Sequence, residues 1–357
     1  MDGWLPSETS LSRGKLSHTH FMKMKYLVTT RLEVLENAAS GCQVYMVDGT
    51  VPGWTPGRDD YHFDHHHQGG ADIQIDEMPS YIEGVIPDIS GLIVTTQVDA
   101  DACVAAAYLQ VGDLIKDETL DKLRAIAYDC DHLGVPESLS KYADFAAQCV
   151  AAMKSDSNSL VEELGLPKDR KQWTIEQKEQ YASLAFERGT EAIIAACNGE
   201  RKFPGECGEA KEYWEKVEEY TQLLLDENRV TFYRDTLLID YKGLQGKYID
   251  PRCALKAYQW LCDNYGHECQ TPITLAQREV FVDNEFKGYS YTIGCIPLHP
   301  KLAGLDYTKG TFEKLTEAER EINPNADGWG GRKTVGGSGW NTPSRLTPQQ
   351  ITDIVIG

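Results

Sequence analysis

Apolar positions in the first third of the chain fall into short blocks broken by turn residues. Lys25–Thr29 and Gln43–Val47 are β-rich runs, and the second ends on Asp48-Gly49-Thr50. Short apolar runs bounded by turn signals predict buried strands. Ala71–Ile75 reads as another strand, followed by turn-rich Met78–Pro87. Gly91–Gln97 carries the pattern most plainly, a glycine followed by Leu92-Ile93-Val94. It runs through Val98-Asp99-Ala100-Asp101 into an alanine-rich helix from Ala102 to about Gln110. Strands alternating with helices predict an α/β domain, a mostly parallel sheet with helices on both faces.

Helical periodicity then dominates. Asp117–Ile126 is amphipathic and leads into Ala127–Gly134; Leu139–Ser155 spaces Tyr142, Phe145, Ala146, Cys149 and Val150 as a core face. Thr174-Ile175-Glu176-Gln177 has the form of a capping box and predicts a helix to about Cys197, ended by Gly199. Gly208–Glu227 predicts a charged helix whose stripe of Tyr213, Trp214, Val217, Tyr220 and Leu224 packs inward. After it the texture becomes α+β. Val230–Tyr233, Thr236–Tyr241, Glu279–Asp283 and Tyr289–Cys295 read as strands, with Asn284–Gly288 as a hairpin connection. Pro251–Asn264 and Pro348–Val355 read as helices. The expected organisation is a flexible leader over 1–23, a metal-binding α/β domain over 24–156, a helical insert or linker over 157–228, and a smaller α+β substrate-binding domain over 229–357.

Composition narrows the function classes. A net charge of −20 argues against broad binding to nucleic acid or anionic membranes, which calls for a basic face. No apolar run approaches the roughly 18–20 residues that cross a bilayer, and Met1–His20 lacks the apolar segment of a secretory signal. Ten cysteines without a Cys-x-x-Cys pair, in a chain this long, read as free thiols in a reducing cytoplasm.

Five places carry candidate chemistry. Tyr61–Gly70 packs His62, Asp64, His65, His66 and His67 together; imidazole with carboxylate suits a divalent transition metal, and a histidine-rich surface loop is the bland alternative. Asp99 and Asp101, two apart at a strand-to-helix junction, suit a hard cation or a helix cap. Asp129 and Asp131-His132 form a second Asp/His cluster, or a capped turn. Asp48 closes a strand end, where ligands bind in open α/β sheets. The tail Asp327–Arg345 is glycine-rich and locally basic; Arg332, Lys333, Ser338 and Arg345 suit an anion cradle, against a flexible linker.

Together these motifs resemble the DHH phosphoesterase superfamily, which includes pyrophosphatases, exopolyphosphatases, a single-strand exonuclease and small-oligonucleotide phosphodiesterases. Asp64-His65-His66 is similar to its signature, and Thr96–Ala106, with Asp99-x-Asp101 before a small-residue helix, to its first motif. The order of the two is reversed here, so the resemblance implies a permuted N-terminal domain. The histidine that precedes Asp-x-Asp in the family is replaced by the Thr95–Gln97 neighbourhood, and His67 or His132 are the candidates to stand in. The likeness implies hydrolysis of a small phosphoester or phosphoanhydride (nucleotide, oligonucleotide or polyphosphate) by metal-activated water. It implies one or two ions of manganese, or magnesium, cobalt or zinc. Asp48, Asp64, His65, Asp99, Asp101 and Asp129 or Asp131 would be ligands. His66, with His67, would protonate the leaving oxygen or orient the phosphate, and Arg332, Lys333, Ser338 and Arg345 would hold the substrate. A short single-stranded nucleic acid or a tRNA end is a further partner class. Two other readings stand beside it: a diverged scaffold for aminoacyl or acyl transfer, and a non-catalytic metal-binding regulator.

Overall fold

The computed structural model describes residues 24–64, 73–83, 87–88, 90–112, 116–154, 158–201, 209–244, 249–282, 285–339 and 342–357. The first half runs β1 (Lys25–Val28), α1 (Leu32–Ala38), β2 (Val44–Val47), β3 (Tyr61–Phe63), β4 (Leu92–Thr95), α2 (Ala100–Val111), α3 (Asp117–His132), α4 (Ala143–Lys154), α5 (Asn158–Glu163) and α6 (Ile175–Cys197). Its four strands form one sheet in the order β1-β4-β2-β3, every neighbouring pair parallel. All four therefore point their carboxyl ends at one edge.

Period-two alternation sorts the sheet's side chains to two cores. Tyr45, Val47, Ile93 and Phe63 face α2, α3 and α6, while Val44, Met46, Leu92 and Val94 face α1. Both faces are covered, which is why these strands read as continuous apolar runs. Each such fully buried side chain contributes about 1.5–3 kcal/mol by leaving water.

The second half runs α7 (Glu209–Asp226), β5 (Val230–Tyr233), β6 (Thr236–Asp240), α8 (Pro251–Tyr265), β7 (Ile273–Val282), β8 (Glu285–Cys295), α9 (Thr311–Ile322), β9 (Gly330–Gly331), β10 (Gly336–Gly337) and α10 (Pro348–Ile356). Its sheet has the order β5-β6-β7-β8-β10-β9, antiparallel except for β6 and β7. That parallel pair is joined through α8, whose start is set by Asp250 accepting from the Arg252 amide and by Pro251 in the first turn.

Several expectations need correction. Ile75–Ser80 is a 3-10 turn, not the end of a strand; Ile75 and Met78, three apart, are both buried against α2 and α3. Ala127–His132 is not a separate turn but the last part of α3, which ends at Leu133 in the left-handed region. Within the helical stretch 157–228, α6 and α7 pack on different partners. Within α6, Ser183 Oγ accepts from the Val28 amide at 2.9 Å and Phe186 meets Tyr26 edge-on at 5.0 Å. α7 instead joins α4 to α8: Trp214 Nε1 donates to Gln148 Oε1 at 3.2 Å, and the Thr221 hydroxyl donates to the Cys253 carbonyl at 3.4 Å. No helix among the described residues is long and apolar enough to cross a membrane.

Candidate metal centre

The carboxyl edge of the parallel sheet collects the acids. β2 is followed at once by Asp48, whose amide donates to the Phe63 carbonyl at 2.8 Å and whose carbonyl accepts from the Thr95 hydroxyl at 3.2 Å. Asp48 has φ +45° and Gly49 has φ +142°. A Cβ on Gly49 would collide with the Thr96 hydroxyl, so only glycine lets the β2 turn sit this close to the end of β4. From β4 the chain enters α2 through Asp99, which caps the helix by accepting from the Ala102 amide at 3.2 Å. Asp101 Oδ1 accepts from the same amide at 3.2 Å.

Capping and clustering coexist here. Asp48, Asp99 and Asp101 each place a carboxylate oxygen within 4.8 Å of the others. Asp48 is 3% exposed and Asp101 2%. Burial, then the charges of Asp99 and Asp131, push the Asp48 carboxyl well above the usual range, with Arg332 opposing. Burial, then the charge of Asp48, does the same to Asp101. Close, buried like charges make such a group a strong sink for a cation.

The last turn of α3 adds two more acids with different fates. Two residues apart on a helix are turned by about 200°. Asp129, one of the expected ligands, is instead taken up by Arg252 from α8. Nη2 lies 2.7 Å from Oδ2, Nη1 3.3 Å from Oδ1, and Nη2 also reaches the Asp129 carbonyl at 3.3 Å. Asp131 is near enough for its charge to raise both Asp48 and Asp101, though it stands outside the group of three. Its Oδ2 lies 3.3 Å from Arg332 Nη1. His132 packs on Tyr128 with ring centroids 4.2 Å apart, and burial lowers its pKa below the ordinary imidazole value.

Asp64, fully buried, follows the Phe63 that pairs with Val47, so it is next in register to Asp48. Its Oδ2 accepts from the Thr50 hydroxyl at 2.5 Å, and that hydroxyl also lies 2.7 Å from His62 Nε2. Sequence reasoning missed Thr50, and it reached His62 only as a member of the histidine-rich cluster. The available signal was Thr50's place just after Asp48-Gly49 and the position of His62 two before Asp64. The expected roles of His65, His66 and His67 lie outside the described residues.

The described part of the glycine-rich tail is built around a tight hairpin between β9 and β10. Gly331 has φ +153°, and a Cβ there would run into the Gly336 backbone. The Arg332 amide donates to the Val335 carbonyl at 2.7 Å, and the turn carries the Arg332 side chain to Asp131. The other expected anion-binding residues are not seen at the acids. The Ser338 hydroxyl accepts from the Tyr291 amide at 3.0 Å and so serves β8. Lys333 is exposed, its carbonyl accepting from the Tyr307 amide. Arg345 is exposed too, its amide donating to buried Glu319 at 2.9 Å.

The donor set fits a divalent cation. The group of three is all oxygen, with no thiolate or imidazole among its described members, which suits magnesium- or manganese-like ions. Such an ion would offset charge that the fold otherwise holds buried at a cost.

No family model matches the chain, and no curated protein matches it. Among solved structures, it is similar to the pGpG-specific phosphodiesterase PggH from Vibrio cholerae, at 12% identity and a TM-score of 0.38, over 90% of this chain and 87% of that one. It is also similar to RecJ from Thermus thermophilus in complex with Mg2+, at 12% identity and a TM-score of 0.33, over 90% of this chain and 50% of that one. RecJ from the same organism in complex with Mn2+ aligns at 12% identity and a TM-score of 0.29, over 88% and 41%. These likenesses are loose, and the chemistry of the site rests on its own geometry.

Proposed function

We propose that the chain is a divalent-metal-dependent phosphoesterase that hydrolyses a small phosphoester or phosphoanhydride, of the nucleotide, oligonucleotide or polyphosphate class. The observation that carries this reading is the convergence of Asp48, Asp99 and Asp101 at one sheet edge, with an arginine from the other half, Arg332, beside the neighbouring Asp131. Asp48, Asp64, Asp99, Asp101 and Asp131 are the proposed carboxylate ligands, with His65 beside them. Asp129 is left out because Arg252 occupies its carboxylate. When bound, the cation would neutralise the acids, polarise the phosphoryl group and activate water.

The chain's own residues supply the rest. Arg332 presents a planar set of N–H donors that matches two phosphoryl oxygens. At 3.3 Å from Asp131 it already stands at the acids, so it orients the phosphoryl group without a large movement. His66, with His67, is the proposed partner of the leaving oxygen, and Lys333 and Arg345 are the proposed contacts to a distal anionic group. The overall charge of −20 favours small substrates over long duplexes.

The test is a hydrolysis panel of pyrophosphate, polyphosphate, a nucleotide and a short oligonucleotide, with manganese, magnesium, cobalt and zinc, using wild type and Asp101→Asn. Turnover that requires a cation and falls by at least about 100-fold in the variant, more than the loss typical of outer-shell changes, supports the reading. Turnover indifferent to chelator and variant contradicts it.

A further inference from the structure

Thr50 sits where three polar groups of the sheet edge meet. Its hydroxyl lies 2.5 Å from Asp64 Oδ2 and 2.7 Å from His62 Nε2. His62 Nε2 and Asp64 Oδ2 are themselves 3.7 Å apart, too far for a direct hydrogen bond. The two side chains therefore communicate through the hydroxyl.

The direction of that exchange follows from donor counting. A hydroxyl has one proton and two lone pairs, and an ionised carboxylate only accepts. If the Thr50 proton pointed at His62, an oxygen lone pair would face the Asp64 carboxylate at 2.5 Å. The proton must go to Asp64, and His62 must donate its Nε2–H to Thr50. Trp54 meets the His62 ring edge-on at 5.5 Å and 87°, and Asp64 is fully buried just after β3, the strand next to β2.

We infer that Thr50 is a positioning residue: it passes a hydrogen bond from the His62 imidazole to the Asp64 carboxylate and so fixes how that carboxylate is held at the carboxyl edge of the sheet. The geometry of the relay stands by itself; its consequence for cation binding rests on the proposed metal centre. A charge-assisted hydrogen bond to a ligating carboxylate fixes its rotamer, and loss of such an outer partner lowers metal affinity about 10–100-fold.

The test uses the full chain as wild type, Thr50→Val and Thr50→Ser. Valine keeps the shape and removes the hydroxyl, whereas serine keeps the hydroxyl. The first readout is the His62 tautomer, by two-bond 1H–15N spectra of histidine-labelled, chelator-treated protein, with the signal assigned by its loss in His62→Gln. The expected result is a protonated Nε2 in wild type and Thr50→Ser, and a changed ring in Thr50→Val. A wild-type ring unprotonated at Nε2, or a ring indifferent to valine, overturns the inference. The second readout is manganese affinity, expected to fall about 10–100-fold in Thr50→Val and to recover in Thr50→Ser. Equal affinity in all three chains overturns the positioning role. If wild type binds no manganese at all, the metal centre fails, and the tautomer comparison still decides the relay.

Discussion

Replacing Arg252 by methionine removes one partner of a buried ion pair and leaves the other in place. Asp129 is 3% exposed and Arg252 8%, with contacts at 2.7 and 3.3 Å between guanidinium and carboxylate. A third bond runs from Arg252 to the Asp129 carbonyl. Methionine fills much of the volume but offers no donor, so the Asp129 carboxylate stays buried without its cation. Breaking a buried pair from one side costs about 3–5 kcal/mol. Removing both charges, as Asp129→Leu with Arg252→Met, is expected to recover most of that, because an apolar pair of similar volume avoids the desolvation penalty. Arg234 and Asp353, both nearly half exposed at 2.8 Å, make the control pair; Arg234→Ala is expected to shift the urea midpoint far less than Arg252→Met, because solvent screens the exposed pair. The assay is urea unfolding followed by tryptophan fluorescence and circular dichroism together, so that a separate transition of either half is seen. The reasoning is refuted if Arg252→Met costs under about 1 kcal/mol, or if the double variant is as unstable as the single one.

Asp101→Asn is expected to raise the urea midpoint of chelator-treated protein at about pH 8, above the ordinary carboxylate range. The folded-state pKa is raised by burial and by Asp48, so the charged form costs stability as pH rises through it, and the advantage of asparagine should vanish as pH falls toward the ordinary carboxylate range. Asp76 is raised from 3.8 to about 6, first by burial and then by Glu77. Wild type should therefore lose stability between those values as pH rises, and Asp76→Asn should be about 1–2 kcal/mol more stable at about pH 7.5 and no better at about pH 4, by urea titration at both. Gly49→Ala should cost more than about 1 kcal/mol, since φ of +142° and the Thr96 hydroxyl both exclude a Cβ; an unchanged midpoint would mean the β2 turn is not held against β4.

What was legible in the sequence follows from local physics. β1, β2 and β4 could be read because burial on both faces leaves short apolar runs, and the capping box at Thr174 is present as spaced. Asp48, Asp99 and Asp101 could be placed together because parallel strands bring their ends to one edge. β3 escaped because it is three residues inside a histidine-rich run. α9 escaped because one inward position is Glu319, which holds the Ser344 hydroxyl and the Arg345 amide. The divergence of Asp129 from Asp131 was not decidable locally. It depends on Arg252, 123 positions away, and on Arg332, 201 positions away, and sequence spacing carries no record of which arginine reaches which face of a helix turn.

The central claim is that the carboxyl edge of the parallel sheet is a cation site. Manganese titrated into chelator-treated protein, followed by calorimetry and by electron paramagnetic resonance of the free ion, measures it directly in wild type, Asp99→Asn and Asp101→Asn. The expected result is saturable binding of one or two ions per chain in wild type, weakened by at least about 100-fold in each variant. Absence of saturable binding in wild type, or the same binding in all three chains, would contradict it.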